Sequence, residues 1–337
     1  MNILFSCAGR RTYLLEYFRE QLENGDTIVA TDMQLSAPAL TAADFREQVP
    51  PVYAPDYIDK TIDICKRYDI KAIIPLNDLE LPILAENAER LKSEGILPIV
   101  ASREVIDICF DKYETARFVE KLGLLSPATF ISLNDALEAI KEGKLSYPLV
   151  LKPRWGSGSI GIEFVNNEDE LRETYAMLLK KVKSSILATA SQGEEYILIQ
   201  EKIDGQEYGV DVMNDLKGVN RGVSVKWKLA MRAGETDKAV TVDIPEIRNI
   251  GKILGSQLQH IGNLDVDIFE RDGKYYILEL NPRFGGGFPF SYEAGVNFPR
   301  AILEWLKGRE IDDKTLIPRY NESFAKCDHL VPIPNTF

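Results

Sequence analysis

The chain has 337 residues, 45% hydrophobic and 27% charged, enough for a well-buried core and for two or three domains at roughly 100 to 200 residues each. Its 40 Lys and Arg stand against 52 Asp and Glu, a net charge of −12 that argues against a sequence-independent grip on nucleic acid or anionic membrane, so any phosphate site must be a local basic patch. Four scattered cysteines (Cys7, Cys65, Cys109, Cys327) fit neither a disulfide scaffold nor a zinc spacing and suit a reducing cytoplasm.

The opening MNILFSCAG is too short for a signal segment, and Arg10 and Arg11 follow it rather than precede it. No run approaches the ~20 apolar residues needed to cross a bilayer, so the expected location is the cytoplasm. Residues 2–7 read as a buried strand, 10–24 as an amphipathic helix and 26–32 as a second strand. The alternation continues with a helix over 58–70, a strand over 71–77, a helix over 79–95 and a strand over 97–102. This pattern predicts a Rossmann-like α/β layer with a parallel sheet over residues 1–104.

From residue 103 a single helix is expected as far as Gly123, with Pro127 beyond it as a stop. A strand (128–133), a helix (134–143), a strand (147–153), a glycine loop (156–161), a strand (161–165) and a charged helix after Asn166-Asn167 follow. Two strands flank Asp204-Gly205, and residues 265–281 read as a hairpin turned at Asp272-Gly273. The part beyond 104 is therefore α+β, and residues 180–194 form the expected mobile connection or lid.

The loop GSGSIG, Gly156 to Gly161, matches the letters of a dinucleotide fingerprint but runs from strand to strand, with no helix at its end and no acidic residue at the end of a next strand. A Walker loop is also absent. What remains is either a flexible turn or a glycine flap, whose backbone N–H groups close over phosphates beside Lys152. Glu201, Lys202 and Ile203 at a strand end suit a purine edge, and Glu207 past the turn suits ribose hydroxyls. Glu279 and Asn281 are two apart on one strand and share a face, with Asp267 on the partner strand. Two carboxylates and an amide make an oxygen-only set of the kind Mg²⁺ takes together with phosphate oxygens, and Arg283 follows as a fixed cation.

Four segments, FDKYETARFVEKLGLLSPAT, YPLVLKPRWGSGSIGI, ILIQEKIDGQEYGVDV and LDVDIFERDGKYYILELNPRFGGG, occur in an order and spacing that resembles the ATP-grasp superfamily, and within it the carbamoyl-phosphate-synthase-like group. The resemblance covers about residues 104–305. It implies a pre-ATP-grasp domain (1–104), an N-terminal lobe with the flap (105–203), a C-terminal lobe with the metal site (204–325) and a tail (326–337). It further implies that Lys112 and Lys152 hold ATP phosphates and that Gly156, Ser157, Gly158, Ser159 and Gly161 cover them. Glu201, Lys202 and Ile203 then form the adenine hinge, Glu207 the ribose acid, Asp267, Glu279 and Asn281 the magnesium ligands, and Arg283 the group steadying the transferring phosphoryl. Asp at position 267 departs from the commoner Gln or Glu.

The implied activity is an ADP-forming carboxylate–amine ligase using ATP and Mg²⁺, two ions with Mn²⁺ able to substitute. Bicarbonate activation, and a regulatory ATP-binding module without turnover, are the alternatives. With only His260 and His329 in the chain, a Ser-His or Cys-His arrangement is not expected. Arg10 and Arg11 at a helix start, and Lys226, Lys228, Arg232 and Thr236 further on, read either as an acceptor site or as solvated side chains. The expected partners are small-molecule substrates and a second copy of the chain.

Overall fold

In the computed structural model, which describes residues 1–156, 161–185, 187–190 and 194–333, the chain begins with a parallel sheet. Strands β1 (Asn2–Ser6), β2 (Ile28–Asp32), β3 (Phe45–Gln48), β4 (Ile70–Pro75) and β5 (Leu97–Pro98) lie in the order β3-β2-β1-β4-β5. β1 and β4 are buried at all but one position each, as the central strands of a parallel sheet covered on both faces should be. Helices α1 (Thr12–Arg19), α2 (Tyr57–Arg67), α3 (Leu81–Glu86) and α4 (Ala88–Ser93) make the crossovers. The helix expected over 79–95 is thus two, parted at Asn87, and the strand expected over 97–102 shrinks to two residues.

The single helix expected over 103–123 divides at Asp111 into α5 (Arg103–Phe110) and α6 (Lys112–Lys121). Asp111 is extended (φ −93°, ψ 105°), and its carboxylate accepts the backbone N–H groups of Tyr113 and Glu114, capping the second helix. The same carboxylate takes a bidentate ion pair from Arg154, at 2.9 and 2.8 Å. Two competing demands on Asp111 therefore outweigh continuation of the helix. The break puts Lys112 at the start of α6, against residues 154–156.

Four antiparallel strands follow in the order β6-β9-β7-β8: β6 (Thr129–Phe130), β7 (Leu149–Pro153), β8 (Glu163–Val165) and β9 (Ile197–Glu201). Helices α7 (Leu133–Lys141), α8 (Glu168–Lys183) and α9 (Leu187–Ala190) cover one side, and Leu149, Leu151, Val165, Leu171 and Leu178 form the core between. Ser132 and Asn167 cap α7 and α8. α8 also carries acids in its first turn and lysines in its last, which suits the helix dipole.

The third sheet is antiparallel, in the order β14-β13-β10-β11-β12-β15, from β10 (Gln206–Asn214), β11 (Asn220–Arg232), β12 (Glu235–Thr241), β13 (Gly262–Arg271), β14 (Lys274–Asn281) and β15 (Ser323–Ala325). One face is apolar: Val210, Val212, Val223, Val225, Leu264 and Val266 pack against α10 (Pro245–Leu258). Alternation turns Glu207, Gly209, Asp211, Lys226, Lys228, Asp265 and Asp267 to the opposite face. On β14 the register shifts between Asp267 and Ile268, so Glu279 faces Asp267 while Ile277 pairs with Ile268 in the core. That bulge re-aims the strand end and sends Glu279 and Asn281 to the polar side.

Helices α11 (Phe288–Glu293) and α12 (Phe298–Leu306) lock this sheet to the first domain. Phe284, Phe288 and Phe298 share one core with Phe5, Leu14 and Phe18, and Tyr17 stacks on Tyr292 at 3.7 Å. Among the described residues no helix is long and apolar enough to cross a membrane.

Candidate active site

The polar face of the third sheet floors a cleft of about 180 Å³, walled by Arg11, Asn77 and Asp78 from the region of the parallel sheet and by Glu235, Thr236, Gly286 and Gly287 from the region of the third sheet. Asp267, Glu279, Asn281 and Arg283 all line it. Asp267 and Glu279 are direct cross-strand partners, as are Asp265 and Asn281, so the three expected metal ligands meet at one corner of the sheet. Their donors are all oxygen, the chemistry that magnesium prefers. Among the described residues no group of three or more His, Cys, Asp or Glu side chains that could hold a metal ion is found, so a cation here would need the Asn281 amide and oxygens from elsewhere to complete its shell.

Lys228 reaches over this floor from β11. Its ammonium lies 2.6 Å from Glu207 and 2.6 Å from Asp267, and the side chain is buried. Burial works against its charge, but Asp267 and Glu207 together hold its pKa above the usual lysine range. Burial raises the Glu207 carboxyl, with Lys228 opposing. A Cβ on Gly209 would lie 3.1 Å from Lys228 Cε, so the absence of a side chain there gives the lysine its path.

In an adjoining pocket that shares Glu279 and Asn281, Lys112 donates to the Gly156 carbonyl and stands 3.8 Å from Glu279 Oε1. Lys152, at the end of β7, is 5% exposed. Burial lowers its pKa to about 8, Glu279 opposes the shift, and Lys112 adds to it. Gly156 and Gly161 both have positive φ at the two ends of the loop. Ser157, Gly158 and Ser159 lie outside the described residues, as does part of the 180–194 connection.

β9 leads to β10 through residues 202–205. The Glu201 carboxylate is committed to Arg271 at 2.7 Å and to the Ala128 N–H at 3.3 Å, and Lys202 pairs with Asp204. Ile203 is buried. The side chains at 201 and 202 are thus tied to protein partners, which leaves the backbone groups of this segment as the ones available to a ligand.

Arg283 is held from both sides. Its Nε and Nη2 lie 3.0 Å from the two oxygens of Asp78, and its Nη1 lies 3.0 Å from Asp265. The two carboxylates raise its pKa despite burial. Burial and neighbouring Asp267 raise Asp265, against Arg283. A Cβ on Gly285 would fall 2.1 Å from the Asp265 carboxyl carbon, so only glycine lets the chain turn past this pair. Asp78 was not anticipated; its signal was its place just beyond β4, at the carboxyl edge of a parallel sheet where such folds gather functional groups. Asp265 was also missed, although it is two residues before Asp267 and shares its face.

The expected acceptor residues converge only in part. Lys226 is 1% exposed and lies on the same sheet face but under α11, paired with Asp211 and 3.2 Å from Ser291. Arg232 is on the surface, 3.0 Å from Asp237 and 2.6 Å from Asp328, and Arg10 is exposed outside the cleft. Of the six, Arg11, Lys228 and Thr236 line the cleft, Arg11 anchored by donation to the Phe284 carbonyl. Opposite it stands Glu235, 3.1 Å from Lys326. Thr236 is buried beside it. The nearby Tyr13 hydroxyl is enclosed without a hydrogen-bond partner, and burial raises its pKa to about 12.

Two family models match: one described as PylC-like, N-terminal domain, over residues 3–99, and one described as ATP-grasp domain over residues 109–287. The arginine-specific large chain of carbamoyl phosphate synthase from Geobacillus stearothermophilus is 24% identical over 313 residues, covering 88% of this chain and 27% of that protein. The chain spans between 20% and 27% of the length of the first curated relatives it matches. L-amino acid ligase from Bacillus licheniformis superposes with TM-score 0.72 at 21% identity, over 95% of this chain and 78% of that one. The biotin carboxylase domain of Hydrogenobacter thermophilus 2-oxoglutarate carboxylase, described in complex with MgADP and bicarbonate, gives TM-score 0.73 at 18% identity, over 96% and 73%.

Proposed function

We propose, from the premise that this chain belongs to the ATP-grasp family, that it is an ADP-forming ligase joining a carboxylic acid to an amine. The observation that carries the reading is a cleft lined by Asp267, Glu279, Asn281 and Arg283, with Lys112 3.8 Å from Glu279 and the charges of Glu279 and Asp267 felt at buried Lys152. Phosphoryl transfer asks a protein chiefly to align the reactants and neutralise oxygens, and this set does both. Lys112 and Lys152 neutralise ATP phosphates under the glycine flap. The backbone of residues 201–203 takes the adenine edge, and Glu207 takes ribose. Asp267, Glu279 and Asn281 would hold Mg²⁺, which supplies charge neutralisation on the phosphoryl oxygens. In the first step a substrate carboxylate oxygen bonds to the γ-phosphorus of ATP, and the bond from that phosphorus to the bridging oxygen breaks, releasing ADP. The amine then attacks the acyl carbon, phosphate leaves, and the amine proton passes to solvent. Arg283 steadies the oxygens of the group in transit, while Arg11 and Glu235 line the end where the second substrate enters.

The test is ADP release with Mg-ATP against amino acids, small carboxylates and bicarbonate, singly and in pairs, with Glu279→Ala and Arg283→Ala as controls. A signal that needs an acid and an amine together and disappears in both variants supports the ligase. Release with bicarbonate alone supports a carboxylating reaction instead. Wild-type turnover in either variant overturns the assigned roles.

A further inference from the structure

We propose that Lys228 is a tethered competitor for the metal ligands, so that a divalent cation enters this cleft only together with nucleotide. The inference rests on the metal-nucleotide reading above. Lys228 Nζ lies 2.6 Å from Glu207 Oε1 and 2.6 Å from Asp267 Oδ1, with the side chain 6% exposed. One ammonium thus bridges the acid assigned to ribose and a carboxylate assigned to the metal. The other metal carboxylate, Glu279, has Lys112 at 3.8 Å. Each carboxylate of the metal set therefore has a lysine of its own.

Their pairing makes nucleotide-free metal binding an exchange. A bare cation taking Asp267 displaces a buried ammonium, which keeps Glu207 but loses one of its two carboxylates in a poorly hydrated place. A cation arriving with a nucleotide brings phosphate oxygens, and the displaced ammonium moves onto them, so one carboxylate–ammonium pair becomes a carboxylate–metal and an ammonium–phosphate pair. The number of paired charges is preserved. Lys228 has room for this swing because Gly209 beneath it carries no side chain. Because metal and nucleotide each favour the binding of the other, the coupling is reciprocal.

The test measures Mn²⁺ binding to the full chain by the loss of its free electron-paramagnetic-resonance signal, with and without ADP. Wild type is compared with Lys228→Gln, which keeps N–H donors for both carboxylates, and with Lys228→Met. Lys326→Gln, which removes a cation at the cleft rim, controls for net charge. Without ADP, Mn²⁺ is expected to bind both Lys228 variants at least about tenfold tighter than wild type, and the ADP–Mn²⁺ coupling to shrink by the same factor. Lys326→Gln is expected to stay within about threefold of wild type, the size of an exposed-charge effect. Equal nucleotide-free affinity in wild type and both Lys228 variants overturns the proposal, as does an equal gain in Lys326→Gln. If Mn²⁺ fails to bind wild type even with ADP, the metal-nucleotide reading falls instead.

Discussion

Replacing Lys152 by arginine isolates one protonation that the fold has shifted. Burial brings the Lys152 ammonium from 10.5 down to about 8. Phosphate oxygens favour the charged form and restore the higher value in a nucleotide complex. Binding therefore takes up a proton above pH 8, and affinity falls as pH rises through that value. Between pH 7.5 and 9.5 this amounts to about twentyfold weaker binding, or about 1.8 kcal/mol. Titrating a fluorescent ADP analogue with Mg²⁺ against wild type should show this fall. In Lys152→Arg the guanidinium stays charged, so the fall should be absent or much reduced, and other ionisations cancel in the comparison. Parallel pH profiles in the two proteins would refute the assignment of Lys152 to the phosphates.

Two further outcomes follow from groups outside the nucleotide wall. His260 is fully buried, with Nε2 3.1 Å from the Val212 carbonyl and Nδ1 3.4 Å from the Asn214 amide, and burial lowers its pKa from 6.5 to about 4. The unfolded chain binds the extra proton below pH 6.5, so stability present above that value is lost as pH falls toward 4; between pH 8 and 5 the loss is about 2 kcal/mol. Urea denaturation of His260→Gln should show a pH dependence flatter by that amount, and an unchanged dependence would contradict the burial argument. Asp78→Asn leaves Arg283 with Asp265 as its remaining carboxylate. Steady-state kinetics should show turnover down by about 10²-fold, as a misplaced group gives, while ADP affinity by calorimetry changes little.

The coarse plan of this chain is readable from periodicity, because its strands alternate with helices and then give way to hairpins. Glu279 and Asn281 were correctly set on one face by parity alone, yet the bulge that turns Ile277 into the core has no letter-level mark. Asp111 was read through as helix interior, although Asp111 and Glu114 have the Asp-x-x-Glu spacing of a helix start. Lys226 and Lys228 look alike in sequence and are two residues apart, but their fates differ. Lys226 meets Asp211 and Ser291 under α11, whereas Lys228 meets Glu207 and Asp267 in the cleft. Only the strand order brings these carboxylates to one lysine or the other, and strand order is a long-range property. Asp78 and Glu235 were missed for the same reason, since each acts against residues far away along the chain.

The clamp on Arg283 also bears on the moment at which the cleft comes into being during synthesis. Asp78 is made 205 residues before Arg283. At about 5–20 residues per second on the ribosome, that interval lasts roughly 10–40 s. The first parallel sheet can close in that time, but its contribution to the cleft has nothing to grip until the last hairpin emerges. A nascent chain stalled between the glycine loop and β14 therefore holds Lys112, Lys152 and that loop without the clamp, and the cleft is completed late, in one closing event, rather than strand by strand.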